Sequence, residues 1–378
     1  MARRSKKRSR RGNAEARLTD DLLVEILRRL PAKTLCTCKC VSRRWCGLIS
    51  DPDHRKKLPQ ALTGFFYMSC NINRSPVVAR HFTNVSGIGR PFINPSLSFL
   101  PRPHRYYFNI LDCCNGLLLC RCPKLAVPRT YEYVVCNPAT EKWVVLPQST
   151  CSTNWPIAHL GFEPAVSSHF HVFEFEKDED GCVTGVQIYL SKTGIWSQKD
   201  SGWSFEVRIW DGSRSIFFNG MLHLVTFEDA VATVDVEAKT WRIIPMPYNK
   251  DCYPFTDIDA AFIDLAQGRL CLTTMIANNL SIWVLENYSS EEWILKHSHI
   301  YRQLFWTDSL DSEHSCSLVS ICPEGDTIFL VVGDEKMLRA YKMDRRVFLP
   351  VMHMLGHDCQ GPYLPYVPDF SESLTGGH

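Results

Sequence analysis

The chain has no run of eighteen apolar residues, the length a bilayer-crossing helix requires. Its N-terminus is basic and no hydrophobic stretch follows it, so a secretory signal peptide is not expected either. These two absences point to a soluble, intracellular protein. Seventeen cysteines could belong to a disulfide scaffold, but that reading needs a small exported chain, and this one has 378 residues. Mostly reduced, buried thiols are expected instead. Cys36, Cys38 and Cys40 alternate, as do Cys120 and Cys122 after Cys113-Cys114, and neither group has the paired two-residue gaps of a structural zinc site. His169 and His171 would share one strand face, as would His297 and His299, without a third ligand at a fixed spacing. Asp178-Glu179-Asp180-Gly181 reads as a hairpin turn and lacks the later ligands of a calcium loop. There is no Gly-x-Ser-x-Gly elbow and no phosphate-binding Gly-Lys-Ser/Thr loop. No catalytic residue, metal ligand or cofactor is assigned.

What is present is ample core material: 45% of residues are hydrophobic and 22% charged, which excludes wholesale disorder. The net charge of +2 conceals a division. Met1 to Arg17 holds eight of the 42 Lys and Arg with one acid, so that segment carries +7 and the remainder −5. Arg3-Arg4-Ser5-Lys6-Lys7-Arg8-Ser9-Arg10-Arg11 has no apolar periodicity and repels itself, so residues 1–17 read as a disordered basic tail. Such a tail suits a nuclear import address, which places the chain in the nucleus, the cytoplasm or both. The acidic remainder shows no basic stripe, so nucleic acid is not an expected partner.

From Leu18 the pattern turns helical. Thr19 or Asp20 can cap a first helix, acids fill its first turn, and Leu22, Leu23, Ile26, Leu27 and Leu30 form a broad apolar stripe before Pro31 stops it. Ala32 to Cys40 reads as a second short helix with Leu35 inward, and Ser42 caps a third that closes at Asp51-Pro52. Leu18 to Asp53 is only 36 residues, below the size that normally builds its own core. The stripe can therefore serve two surfaces, one flank packing on Trp45 and Val41 and the other docking in a groove of a partner.

These residues resemble the F-box. The family pattern is matched by Leu18, Asp21, Leu22-Leu23, Glu25, Ile26-Leu27, Arg29, Leu30-Pro31, Leu35, Val41 and Arg44-Trp45. The sequence departs from it at Thr19, usually Pro, at Cys36-Thr37-Cys38-Lys39-Cys40, and at His54, where an aromatic is common. The resemblance implies that residues 18–58 bind the Skp-type adaptor of cullin-RING ubiquitin ligases, and through it the cullin and RING subunits. Leu18, Leu22, Ile26, Leu30, Pro31, Leu35, Val41 and Trp45 fall at the positions that form or support the adaptor-facing surface.

Beyond Pro59 short strand-like runs alternate with Gly, Pro, Asn and Asp. Cys114-Asn115-Gly116-Leu117-Leu118-Leu119-Cys120, a strand, a turn and Trp143-Val144-Val145-Leu146-Pro147 have the same layout as Phe218-Asn219-Gly220-Met221-Leu222-His223-Leu224, a strand, a turn and Trp241-Arg242-Ile243-Ile244-Pro245. Weaker copies begin near Gly268 and Gly325, and another keeps Trp196. Anchors at 143, 196, 241, 293 and 347 recur about every fifty residues, the period of a kelch-like propeller blade.

The expected fold is mainly β with a small N-terminal α module: a three-helix F-box, then a kelch-like β-propeller of about six degenerate blades over residues 59–352. The C-terminal tail, 353–378, is available to close the ring, and a less regular β-sandwich is the competing architecture. An F-box joined to such blades resembles the F-box-associated domain of plant F-box proteins. That resemblance implies a non-catalytic substrate receptor holding an unidentified target protein. The alternatives are a lectin-like or small-molecule-binding propeller with a vestigial F-box, and a propeller enzyme. The repeat tryptophans read as packing anchors, whereas Trp155, Trp203 and Trp306 fall near inter-blade segments and are the candidate target-binding residues.

Overall fold

In the computed structural model the described residues are 18–28, 30, 34, 38, 41–51, 54, 62–85, 91, 93–101, 108–124, 130–151, 156–210, 212–247, 261–276, 279–288, 291–300, 316–323, 325–369 and 374. They fall into two compact units, Met1–Gln60 and Ala61–His378.

In the first unit, α1 spans Asp20–Leu27 and α2 spans Arg43–Ser50. Thr19 caps α1 by accepting from the Leu22 N–H at 3.4 Å, and Ser42 caps α2 by accepting from the Trp45 N–H at 3.2 Å. Leu23, Val24 and Leu27 of α1 pack with Cys38 and with Leu48 and Ile49 of α2 in a small core, against which Leu18, Leu30 and Trp45 are partly buried. The Arg44 guanidinium ties the two helices, reaching Asp20 at 2.7 Å and the Leu18 carbonyl at 2.6 Å. The expected middle helix falls mostly outside the described residues.

The second unit contains six antiparallel sheets, five of four strands and one of three. Blade II is β3 (Asn109–Cys114), β4 (Leu117–Pro123), β5 (Tyr131–Asn137) and β6 (Lys142–Val145). Blade III is β7 (Ile157–Phe162), β8 (Phe170–Lys177), β9 (Val183–Leu190) and β10 (Ile195–Asp200). Blade IV is β11 (Ser215–Phe218), β12 (Met221–Val225), β13 (Ala230–Asp235) and β14 (Trp241–Pro245). Blade V is β15 (Ala261–Ala266), β16 (Arg269–Ile276), β17 (Asn279–Asn287) and β18 (Glu292–Ile300). Blade VI is β19 (Cys316–Ile321), β20 (Thr327–Val332), β21 (Met337–Lys342) and β22 (Val347–Met354). Blade I joins both ends of the unit: β1 (Gly64–Cys70) pairs on one side with β2 (Val78–Asn84) and on the other with β23 (Cys359–Tyr366).

β23, β3, β7, β11, β15 and β19 neighbour one another in that order and β19 returns to β23, so the six inner strands close a ring. The chain is a six-bladed β-propeller. The residues after β23 continue onto blade II, where the Asn137 side-chain amide donates to the Asp369 carbonyl at 2.8 Å and Leu374 is buried between blades II and III.

Burial between blades explains the continuous apolar strands. On β4, Leu118 and Cys120 face blade I while Leu117 and Leu119 face blade III, and each of the six interfaces has its own apolar cluster. The repeated Asn-Gly steps are the inner hairpins: Asn115-Gly116 and Asn219-Gly220 all have positive φ, the backbone of a two-residue turn that matches strand twist. At Gly116 a Cβ would also lie 2.3 Å from the Asp369 backbone nitrogen, so only Gly fits there.

The repeat tryptophans occupy outer strands and clasp the preceding blade. The Trp196 indole donates to the Pro147 carbonyl at 2.8 Å and the Trp293 indole to that of Pro245 at 2.9 Å. In blade VI the anchor is one residue later than the repeat predicts. Val347 is 46% exposed, and Phe348 packs its ring on Tyr341 at 5.1 Å.

Candidate functional site

Two surfaces stand out. The first is on α1. Because consecutive helical residues lie about 100° apart, Leu23, Val24 and Leu27 point inward while Leu22 (52% exposed), with Ile26 (43%) one turn further on, points outward. Val41 is also 59% exposed and does not pack inward as the stripe argument predicts. Leu22 and Ile26 sit at i and i+4, so their side chains stack into one apolar strip on the helix surface. Of the other expected adaptor-facing residues, Leu18, Leu30 and Trp45 support the core, and Pro31 and Leu35 lie outside the described residues.

The second surface is the end of the propeller where the inner strands begin. Two cavities open there, of about 450 and about 580 Å³, sharing Gly212, Ser213, Gln360 and Pro362 as a common sill. The smaller is lined by Arg121 of β4 and His159 of β7, the larger by Trp210, Arg214, Phe262 and Lys336. Among the described residues no Asp or Glu lines either cavity.

Beside them two inner-strand aspartates hold the blades together. Asp112 follows a β-bulge in β3, and its carboxylate accepts from the Cys113 N–H at 2.8 Å, the Leu160 N–H of blade III at 2.8 Å and the Ser215 hydroxyl of blade IV at 3.1 Å. Asp264 does the same between blades V and VI, accepting from the N–H groups of Leu265 and Ile321 and the Ser320 hydroxyl, each at 2.8 Å. Asp264 also takes a bidentate pair from Arg214, at 2.9 and 3.1 Å. Among the described residues no guanidinium is paired with Asp112; His159 Nδ1 lies 3.6 Å from it.

Arg121 is 8% exposed, donates to the Pro156 carbonyl, and lies 5.2 Å from the Tyr131 ring and 5.9 Å from that of Tyr133. Both tyrosine hydroxyls donate to the fully buried Glu174 at 2.8 Å, and burial beside that carboxylate pushes both phenols up, so they stay neutral donors. His159 is 4% exposed and neither ring nitrogen has a hydrogen-bond partner among the described residues.

Trp203, expected at a target-binding loop, is a core residue. It is 8% exposed, its indole donates to the Thr233 carbonyl at 3.1 Å, and its ring meets Trp241 edge-on at 4.7 Å between blades III and IV. Trp155 and Trp306 lie outside the described residues. Among the described residues the tryptophan that reaches the mouth is Trp210, stacked on Phe227 with centroids 3.6 Å apart, which sequence reasoning passed over. Asp112 and Asp264 were also missed, although each stands four residues before a hairpin Gly in an otherwise apolar strand, a repeat signal in its own right. No cluster of three His, Cys, Asp or Glu suited to a metal ion occurs among the described residues.

Comparison with known proteins agrees with this architecture. The F-box associated beta propeller domain model matches residues 67–370 and the F-box domain model residues 16–57. Among curated relatives, Arabidopsis thaliana F-box protein At5g07610 is 27% identical over 299 residues, covering 74% of this chain and 69% of the relative. F-box protein At5g65850 from the same plant is 25% identical, covering 74% and 70%, and F-box protein DOR is 24% identical, covering 75% and 74%. With a helical module that leaves one leucine strip uncovered, followed by six blades closed by the last strand, the chain belongs to the plant F-box proteins that carry an F-box-associated β-propeller.

Proposed function

We propose that this protein is the target-recognition subunit of a cullin-RING ubiquitin ligase. The helical module docks on the Skp-type adaptor, and the propeller mouth holds the target protein. The observation that carries the reading is the division of α1: Leu23, Val24 and Leu27 complete the module's own core, while Leu22 and Ile26 remain outside as an apolar strip one turn long. The chain then acts by raising the effective concentration of target near the ubiquitin-charged enzyme, and supplies no reacting group itself. It uses no cofactor. The basic tail fits import into the nucleus as well as residence in the cytoplasm.

The test is co-purification. Leu22→Asp together with Ile26→Asp places two charges on the strip, and the adaptor is expected to be lost from pull-downs while the thermal transition of the propeller is unchanged. Retained adaptor overturns the reading.

A further inference from the structure

The smaller cavity is lined by two buried polar groups that the fold itself leaves unsatisfied. His159 of β7 is 4% exposed, and among the described residues neither of its ring nitrogens has a hydrogen-bond partner. The Ser213 hydroxyl, on the sill shared with the larger cavity, is also buried and likewise without one. Buried polar side chains are usually satisfied, because giving up water without a replacement is costly. His223 of β12, also buried, shows the usual solution: Nδ1 meets the Ile216 carbonyl at 3.1 Å and Nε2 meets the Tyr288 hydroxyl.

The surroundings of His159 set what it can bind. The Asp112 carboxylate stands 3.6 Å from Nδ1, longer than a hydrogen bond, and already accepts from the Cys113 and Leu160 N–H groups and the Ser215 hydroxyl. Its negative charge favours the neutral ring's proton on Nδ1, which leaves Nε2, on the other side of the imidazole, as an acceptor. Arg121 is the one charged side chain among the described lining residues, and it is already committed, donating to the Pro156 carbonyl and lying over the Tyr131 ring. The wall is completed by apolar residues from three blades, including Val78 of blade I, Ile110 of blade II and Ile157 of blade III.

The geometry points to a binding site for a small neutral molecule that carries a hydroxyl or N–H group on an apolar body. The ligand's donor bonds to Nε2 of His159, and the Ser213 hydroxyl, which both donates and accepts, takes a second hydrogen bond. The apolar body replaces water along the wall. Net charge on the ligand gains nothing here, since the lining cation and the carboxylate behind His159 both have their partners. The volume of about 450 Å³ suits such a molecule, because small-ligand sites are concave, mostly apolar and fitted with a few convergent polar groups. This inference goes beyond the receptor reading and stands without it, since the two groups need partners whether or not the chain serves a ligase.

The experiment is ligand-observed NMR titration of the full-length chain with phenol, benzyl alcohol and indole, each against its methyl-capped counterpart: anisole, benzyl methyl ether and 1-methylindole. At least one of the three donors is expected to bind saturably, and its capped counterpart to bind about tenfold or more weakly, the scale of one buried hydrogen bond. His159→Phe keeps a ring in place without the acceptor, so it should weaken the donor probe by a similar factor and leave its capped counterpart little changed. That pairing separates a lost hydrogen bond from general damage to the cavity. Circular dichroism identifies a variant that fails to fold; if His159→Phe does so, Ser213→Ala, at a half-buried position, decides instead with a several-fold loss. Lys239→Glu, an exposed change between β13 and β14, should leave binding unaltered. Absence of saturable binding, which means that water alone satisfies the two groups, overturns the inference. So does equal binding of capped and uncapped probes, or donor binding that survives the deciding variant.

Discussion

The helical module and the propeller solve the burial problem in opposite ways. The module has a core of six buried side chains and leaves Leu22 and Ile26 exposed side by side on one helix. The propeller covers both faces of every blade with the next, and exposed apolar residues such as Ile72, Ile195 and Met354 lie on blades I, III and VI. Its concentrated feature is polar: Asp112, His159, Arg121, Arg214 and Asp264 gather around the inner ring. A contiguous apolar strip asks for a standing partner, because water contact costs it at all times. A polar cavity is content with water until a suitable ligand arrives. On the proposed function, the two units divide constitutive docking from selective capture.

That comparison can be broken in several ways, starting with the ring. Terminating the chain after Leu355 removes β23, the inner strand of blade I, and with it part of the clusters on both flanks. The whole stability of the propeller, on the order of 5–15 kcal/mol for a domain, should be lost. Near-ultraviolet circular dichroism should keep only the contribution of Trp45 in the module, which still brings down the adaptor.

Next come the two aspartates. Asp264→Ala leaves the half-buried Arg214 without its carboxylate and should cost about 3–5 kcal/mol, whereas Asp112→Ala strands only neutral donors and should cost about 1–3 kcal/mol. Chemical denaturation of the two variants measures the difference. Equal losses would mean that the guanidinium contributes nothing beyond the shared blade contacts.

Acid should weaken the propeller before the module. Burial lowers His171 and His223 from the usual 6.5 to about 4. The unfolded chain therefore binds more protons between those values, so the stability these groups provide is whole above pH 6.5 and is lost as pH falls towards 4. Each contributes a slope of about 1.4 kcal/mol per pH unit in that window. Denaturation midpoints from pH 7 to 4.5 test this, and the His223→Gln variant should flatten the slope.

The smallest effect belongs to the outward-facing Leu22 of α1, set beside its inward neighbour. Leu23→Ala should destabilise the module by about 2–5 kcal/mol, read as faster hydrogen exchange across α1. Leu22→Ala should change its stability by less than about 0.5 kcal/mol while weakening adaptor binding.

Much of this architecture was legible in the sequence because it rests on local chemistry. Asn-Gly steps require positive φ, and an outer-strand tryptophan must reach the blade before it, so both recur at a readable period. The membership of β23 in blade I has no local signature, since it depends on pairing across 303 residues between Thr63 and Tyr366. Trp203 and Trp210 look alike in the sequence. One is buried by the packing of blades III and IV and the other reaches the mouth beside Phe227, a difference set by tertiary contacts alone.

The strand that closes blade I has a consequence for synthesis. A chain grows from its N-terminus at roughly 5–20 residues per second, so β1 waits for tens of seconds with one edge unpaired before β23 leaves the ribosome. An unpaired strand edge is a template for pairing with other chains. The helical module is made before the propeller, and its described core of Leu23, Val24, Leu27, Cys38, Leu48 and Ile49 draws on no propeller strand. On the proposed function, an adaptor bound there is attached while the ring is still open, so the order of translation favours loading the docking end first.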